Sequence, residues 1–292
     1  MIGPYQTASA FRAALEERLK RAARERHTDL MRLRRQVAFD RLLARLFAQP
    51  DAPWMLKGGY TFELRLGGRA RTTKDLDLSV PDLHRFATDA EALAPSDAIR
   101  ERLQEFAAAD LGDGFAFRID MPMADLDAAP YGGARYPVEA RLDSRTFATF
   151  HLDVGIGDAN VAEPEWLTGS DLLGFAGISP ARVAALAREQ QFAEKLHAYT
   201  LPRGERTNTR VKDLVDLALL IDLGLPDTET LKRAIHATFA RRVTHAEPAD
   251  LEPPPEAWRA AFAQLAAEVA LRVTTLDAAF AEVAAFWRTL RA

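Results

Sequence analysis

Cysteine is missing altogether from the 292 residues, which excludes disulfides and thiolate metal sites. Long apolar runs are missing too, for nothing approaches the ~18 consecutive apolar residues of a membrane-spanning helix. The opening Met1-Ile2-Gly3-Pro4-Tyr5 has neither the basic stretch nor the apolar core of a secretory signal. His27, His84, His151, His197, His236 and His245 show no HxxxH or HExxH spacing, which argues against a zinc site. With 48% hydrophobic and 27% charged residues, the expectation is a soluble, cytoplasmic protein without a membrane partner.

What is present is unevenly placed. Residues 1–50 hold eleven arginines and lysines against five acids, a net +6 within a chain of −4, so the remainder carries −10. A basic arm on an acidic body suits a polyanion partner, and equally suits a solvated helix face. Arg21, Arg24 and Arg35 are the arm's candidate contacts to such a polyanion.

Apolar periodicity predicts helices over 8–26 and 30–48. Trp54-Met55-Leu56 is a short apolar run ended by Gly58-Gly59, with a short helix over 60–66. Asp75 to Val80 alternates like a strand, and 82–111 reads as helix. Strands are expected at Phe115 to Ile119, Val138 to Leu142 and Phe147 to Val154, the last two joined by a turn at Asp143-Ser144. Beyond residue 160 strand signals stop. Pro180 opens a helix to about Thr200, and further helices are expected at 210–223, 227–241, 256–272 and 275–291, with a proline-rich loop at 247–255. The fold class is α+β: a mixed α/β domain over 1–160, then an all-helical domain over 161–292.

The chemistry concentrates in Lys74-Asp75-Leu76-Asp77-Leu78. Residues i and i+2 of a strand face the same way, so Asp75 and Asp77 set two carboxylates side by side. Hard divalent cations with oxygen ligands, Mg²⁺ above all, relieve that repulsion and keep positions open for phosphates. An edge strand with an acidic outer face gives the same pattern. The upstream context adds to the case. A short strand, Gly58-Gly59 and a helix make the arrangement in which backbone N–H groups receive a phosphate, and Lys57 precedes it. Arg65, Arg69, Arg71 and Lys74 lie between this cradle and Asp75.

On these residues the chain resembles a known family. LKGGYTFELRLGGRARTTKDLDL, from Leu56 to Leu78, is similar to the signature of the AbiEii-type nucleotidyltransferase toxins of bacterial type IV toxin–antitoxin systems. FAEKLHAYT, from Phe192 to Thr200, and RVKDLVDLALL, from Arg210 to Leu220, extend the likeness. It implies a polymerase-β-like nucleotidyltransferase domain, a mixed sheet flanked by helices, and a helical domain completing the nucleotide site. It implies Mg²⁺ on Asp75 and Asp77, and places Lys195 and Asp213 in the active site. Lys57, Gly58, Gly59 and Lys195 become the nucleotide-binding residues. Asp153 is the choice for a third metal carboxylate because it ends a strand late in the domain, as the family topology requires; Asp120 and Asp143 compete. The substrate is then a nucleoside triphosphate, the acceptor an RNA (in characterised branches the tRNA 3′ end), and an antitoxin a possible partner. Relatives often follow Gly-Gly with Ser or Thr, whereas this chain has Tyr60 and then Thr61. Nucleotidylation of a protein hydroxyl and a non-catalytic RNA-binding module are the rival readings.

Read without the family, Asp216 fits a helical pair with Lys212, Asp213 has only Arg210 near it, and Lys195 is either a phosphate contact or a snorkelling side chain.

Overall fold

The computed structural model describes residues 2–49, 52–81, 95–126, 129–204, 208–225 and 227–292. It divides into two compact units. The first comprises Met1–Gly67, Thr72–Gly157 and Trp166–Ala185; the second comprises Gly68–Arg71, Asp158–Glu165 and Leu186–Ala292.

The first unit begins with α1 (Ala8–Glu25), capped by the Thr7 hydroxyl, and α2 (Leu30–Leu46), capped by the Asp29 carboxylate. Then come β1 (Met55–Lys57), α3 (Gly58–Leu66), β2 (Asp75–Val80), α4 (Pro95–Ala107), β3 (Phe115–Ile119), β4 (Ala124–Asp125), β5 (Gly133–Leu142), β6 (Arg145–Ile156), β7 (Glu165–Thr168) and β8 (Arg182–Ala185). The helix expected from 82 falls outside the described residues until Pro95.

The eight strands form one mixed sheet in the order β3-β5-β6-β2-β1-β8-β7, with β4 on β5. β2 runs parallel to β6 and antiparallel to β1, and β1 runs parallel to β8. β5 and β6 meet in a tight hairpin at Asp143-Ser144, both with positive φ (53° and 55°). Arg12 of α1 donates to the Leu142, Arg145 and Thr146 carbonyls and so ties that turn down.

Strand alternation sorts the two faces of the sheet. Leu56, Leu76, Leu78, Val80, Tyr136, Val138, Leu152 and Val154 are buried in one core with Val37, Phe39 and Leu43 of α2 and Phe106 of α4. Phe39 meets both Phe150 and Tyr60 edge-on, at 4.8 and 5.1 Å between ring centroids. The opposite face carries the polar half of each strand.

Two expectations need correcting. Strands do not stop at 160, because β7 and β8 extend the sheet, and the helix expected from Pro180 begins only at Arg188. Arg182-Val183-Ala184-Ala185 reads as helix by its alanines, but pairing of Ala185 with Leu56 overrides that weak local preference.

The second unit contains α5 (Arg188–Thr200), α6 (Val211–Leu223), α7 (Thr228–Arg242), α8 (Arg259–Glu268) and α9 (Leu276–Arg291). α5 packs on α6 and α7, and α6 also on α8 and α9. The helix expected over 256–272 is shorter, with a 3₁₀ turn at Glu256–Trp258 before it. Among the described residues no helix is long and apolar enough to cross a membrane.

Candidate active site

Two groups of charged side chains hold most of the residues singled out by sequence, one in each unit.

The first lies on the polar face of the sheet. Register pairs Lys57 with Asp77, Asp77 with Asp153, and Asp153 with Arg135, so these four stand in one row across four adjacent strands. The next row pairs Asp75 with His151. Because cross-strand partners share a face, Asp75, Asp77 and Asp153 do too. Asp120 pairs with Arg118 beyond the end of β3, and Asp143 sits in the hairpin turn with Arg145, so neither competitor joins this row.

Arg135 grips Asp153 with two hydrogen bonds of 2.7 Å and lies 3.7 Å from Asp75. The hydrogen bond to Asp153 holds the guanidinium charge even more firmly than is ordinary for arginine; burial opposes it, and Asp75 and Asp77 add to it. His151 Nδ1 is 3.2 Å from Asp75 Oδ1. As placed, Asp153 faces an arginine, and among the described residues no group of three His, Cys, Asp or Glu side chains is arranged around a metal position.

The glycine cradle has a specific occupant. Gly58 has φ +69°, and a Cβ built on it would fall 2.0 Å from Asp77 Oδ2. Only glycine lets that carboxylate reach the backbone at the start of α3, where the helix dipole favours an anion. Neither hydroxyl that follows the cradle is offered to a ligand. Tyr60 is buried against Phe39, and burial pushes its phenol well above the usual range, with Asp40 and Glu63 adding to it. Thr61 is buried and donates to the Gly58 carbonyl at 2.7 Å.

Sequence reasoning missed Glu63. Buried in α3, it accepts from the Thr73 N–H at 2.9 Å and from Gln36 at 2.6 Å, while the Thr73 hydroxyl donates to the Asp75 carbonyl. Cradle helix and aspartate strand are thereby fixed to each other. An unexplained acid inside the apolar run Tyr60 to Leu66 was the available signal.

The second group is in the helical unit. Lys195 Nζ is 2.9 Å from Asp213 and 2.8 Å from Asp216. Arg71 bonds both oxygens of Asp216 at 3.1 Å, and Arg210 lies 3.5 Å from Asp213. Asp216 therefore belongs to Lys195 and Arg71 and not to the expected helical pair with Lys212. Lys195 is also more than an aliphatic stem with a wet tip. Burial works against its charge, yet Asp216 and Asp213 outweigh burial and raise its pKa above the lysine range. Burial would likewise raise Asp216, but Lys195 and Arg71 hold it below the ordinary carboxylate value.

The basic arm is largely consumed by the fold. Arg12 holds the hairpin, Arg18 stacks on Phe175 at 4.2 Å, and Arg32 and Arg34 pair with Glu63 and Glu16. Arg41 and Arg45 are buried with Asp40 and Asp113. Arg21 and Arg24 are exposed, whereas Arg35 is half-buried with an Nε that lacks a hydrogen-bond partner.

Comparison with known proteins agrees with this architecture. No curated protein matches the sequence. Among solved structures the chain is similar to MenT4, a nucleotidyltransferase toxin from Mycobacterium tuberculosis. The TM-score is 0.60 at 17% identity, over 94% of this chain and 89% of that one, a likeness of fold. The family model described as the nucleotidyl transferase AbiEii toxin of type IV toxin–antitoxin systems matches residues 41–285, which cover both groups of charged residues. The chain therefore belongs to the AbiEii family of nucleotidyltransferase toxins.

Proposed function

We propose that this nucleotidyltransferase moves nucleotides from a nucleoside triphosphate to an RNA hydroxyl, with the tRNA 3′ end as acceptor and Mg²⁺ as cation. The observation that carries the reading is the gathering of Asp75, Asp77 and Asp153 on one sheet face, with a single guanidinium drawn in among them. Three carboxylates that attract an internal cation suit a hard divalent one.

In this reading Asp75, Asp77 and Asp153 hold Mg²⁺, which when bound offsets the charge of the reacting phosphate and of the departing pyrophosphate. The acceptor hydroxyl attacks the α-phosphate in line, forming the new P–O bond as the bond to pyrophosphate breaks. Lys57, beside Asp77, and the Gly58-Gly59 end of α3 draw the triphosphate toward the dyad. Because the Asp77 carboxylate already fills the space at Gly58, a phosphate can approach there only with positive charge between the two anions. Lys195 and Asp213 are the further pair that the family assigns to the nucleotide. Arg21, Arg24 and Arg35 are assigned to RNA phosphates.

The test is to incubate the protein with each labelled nucleoside triphosphate, with total RNA and separately with total protein, with and without Mg²⁺. Label in tRNA-sized RNA that requires Mg²⁺ is expected. Label in protein alone replaces the acceptor with a protein hydroxyl, and no label in either would falsify the transfer reading.

A further inference from the structure

Arg135 carries no motif in the sequence, and the fold brings it to the carboxylates. It stands in the row Lys57, Asp77, Asp153, Arg135, on the side of Asp153 away from Asp77. Its fork takes both Asp153 oxygens at 2.7 Å, and the same Nη2 reaches 3.7 Å from Asp75. A carboxylate gripped at both oxygens has given up about half of its lone-pair sites and faces a fixed positive charge, and both disfavour a cation there. Asp153 is thus closed as a ligand while the arginine holds it.

The hold is nevertheless reversible by construction. The side chain of Arg135 is 34% exposed, as is that of Asp75. Asp153 itself is only 14% exposed, but the guanidinium reaches water, and a pair with one partner in water is more readily exchanged than the buried pairs of the helical unit. A phosphate offers the guanidinium the same two-pronged geometry as a carboxylate.

We propose that Arg135 is an internal stand-in for the divalent cation, a positioning residue that keeps Asp153 closed until a nucleoside triphosphate draws the guanidinium away. Cation and nucleotide then bind cooperatively, because the nucleotide removes the arginine that competes with the cation. This rests on the carboxylate reading above. In the nucleotide-free protein Asp75 and Asp77 offer a weak two-carboxylate site, and the released Arg135 becomes a phosphate contact.

The test uses the full chain, Mn²⁺ as a spectroscopic substitute, and a triphosphate with a non-cleavable α,β-methylene link. Mn²⁺ binding without nucleotide is followed by the paramagnetic resonance signal of the free ion, and nucleotide binding is measured separately at saturating Mn²⁺. In R135Q, Mn²⁺ alone is expected to bind about tenfold more tightly, within the usual range for coupling between sites. Nucleotide should bind more weakly. A variant that simply folds poorly would weaken both, so the opposite signs identify the mechanism. R135K keeps the charge but not the fork. It should also bind Mn²⁺ more tightly than the wild type; an unchanged affinity in R135K would show a general field effect and overturn the stand-in role. Mn²⁺ affinity unchanged or weaker in R135Q overturns it as well. Failure of Mn²⁺ to bind wild type and R135Q alike would overturn the proposal together with the carboxylate reading. Equal binding to both, abolished by D75N, would overturn the arginine's part alone.

Discussion

The two charged groups of this molecule solve opposite problems with the same residue types. On the sheet, three carboxylates, Asp75, Asp77 and Asp153, stand with Arg135 and Lys57, so negative charge is in excess and the face is partly open to water. In the helical unit, Asp213 and Asp216 stand with Lys195, Arg71 and Arg210, so positive charge is in excess. Asp216 is fully buried there. Excess negative charge at a half-open surface leaves a demand for a cation unmet. A buried group whose carboxylates are already met by internal cations is a closed lock, whose loss is felt in folding. The first group should therefore fail in chemistry when altered, and the second in stability.

The largest expected effect tests the lock. In Asp216→Asn the buried ammonium of Lys195 and the guanidinium of Arg71 lose their shared carboxylate. Breaking one partner out of such a buried pair costs about 3–5 kcal/mol. Urea denaturation at pH 7 should show it. A loss under about 1 kcal/mol would mean that the group is as tolerant as a surface pair.

The converse holds on the sheet. Asp75→Asn should reduce nucleotide transfer by about 10²–10³-fold or more, the scale of removing an electrostatic contact to the reacting charge. The urea midpoint should stay level or rise, since a like-charge neighbour of Asp77 has gone. Wild-type labelling by this variant would end the case for the dyad, and a collapse in stability would erase the contrast between the two groups.

A third way of burying a titratable group sharpens the comparison. His197, in the helical unit, is buried with Nε2 2.8 Å from the Thr244 hydroxyl and Nδ1 without a hydrogen-bond partner. Burial, helped by Arg242 and the neighbouring His245, lowers its pKa to about 4. A base lowered on folding is protonated first in the unfolded chain, so stability falls as pH drops from about 6.5 toward about 4. The shift corresponds to about 3 kcal/mol across that window. Asp216 acts elsewhere on the scale. Its lowered carboxyl contributes stability above the ordinary aspartate pKa, and that contribution is lost only below it. Stability curves at pH 7, 5.5 and 4 should therefore fall for the wild type and flatten in His197→Gln. Some slope should remain from His245, which burial also lowers. Identical slopes in the two proteins would show that His197 does not stay neutral when buried.

Sequence made the local parts legible and hid the pairings. The strand around Asp75 and Asp77 was readable because period-two alternation needs only six residues. The glycine cradle was readable as a strand, a turn and a helix start. Its occupant was not, because nothing in Lys57-Gly58-Gly59 says that Asp77 will fill the space at Gly58. The grip of Arg135 on Asp153 spans the β5–β6 hairpin, and its register depends on the turn and on a bulge near Ala140. Asp216 seemed explained by Lys212 one turn away, but folding brought Arg71 from 145 residues off. β7 and β8 were lost because four-residue segments carry little periodic signal, and the alanines of β8 favour helix locally. The basic arm misled in the other direction: charge counted along the chain looked available, and most of it is engaged in the fold.

That last point sets the smallest expected effect. Of the three arginines assigned to RNA, Arg21 and Arg24 are exposed, whereas Arg35, on α2, is half-buried. Charge reversal at Arg35 would disturb packing as well as binding, so the informative variant is Arg21→Glu with Arg24→Glu. If both side chains meet RNA phosphates, each contact releases condensed counterions, and its loss reduces the logarithmic salt slope of RNA binding by roughly one. The double variant should then need several-fold more RNA for half-maximal labelling and show a slope flatter by about two, with its triphosphate requirement unchanged. Its urea midpoint should match the wild type within ~0.5 kcal/mol, since exposed residues without buried partners contribute little to folding. A nucleotide requirement that moved instead would place this arm nearer the chemistry than the fold of its own unit suggests. An RNA titration and salt slope equal to those of the wild type would return Arg21 and Arg24 to the solvent, and the acceptor would have to be held by cations elsewhere, such as Arg203 and Arg210.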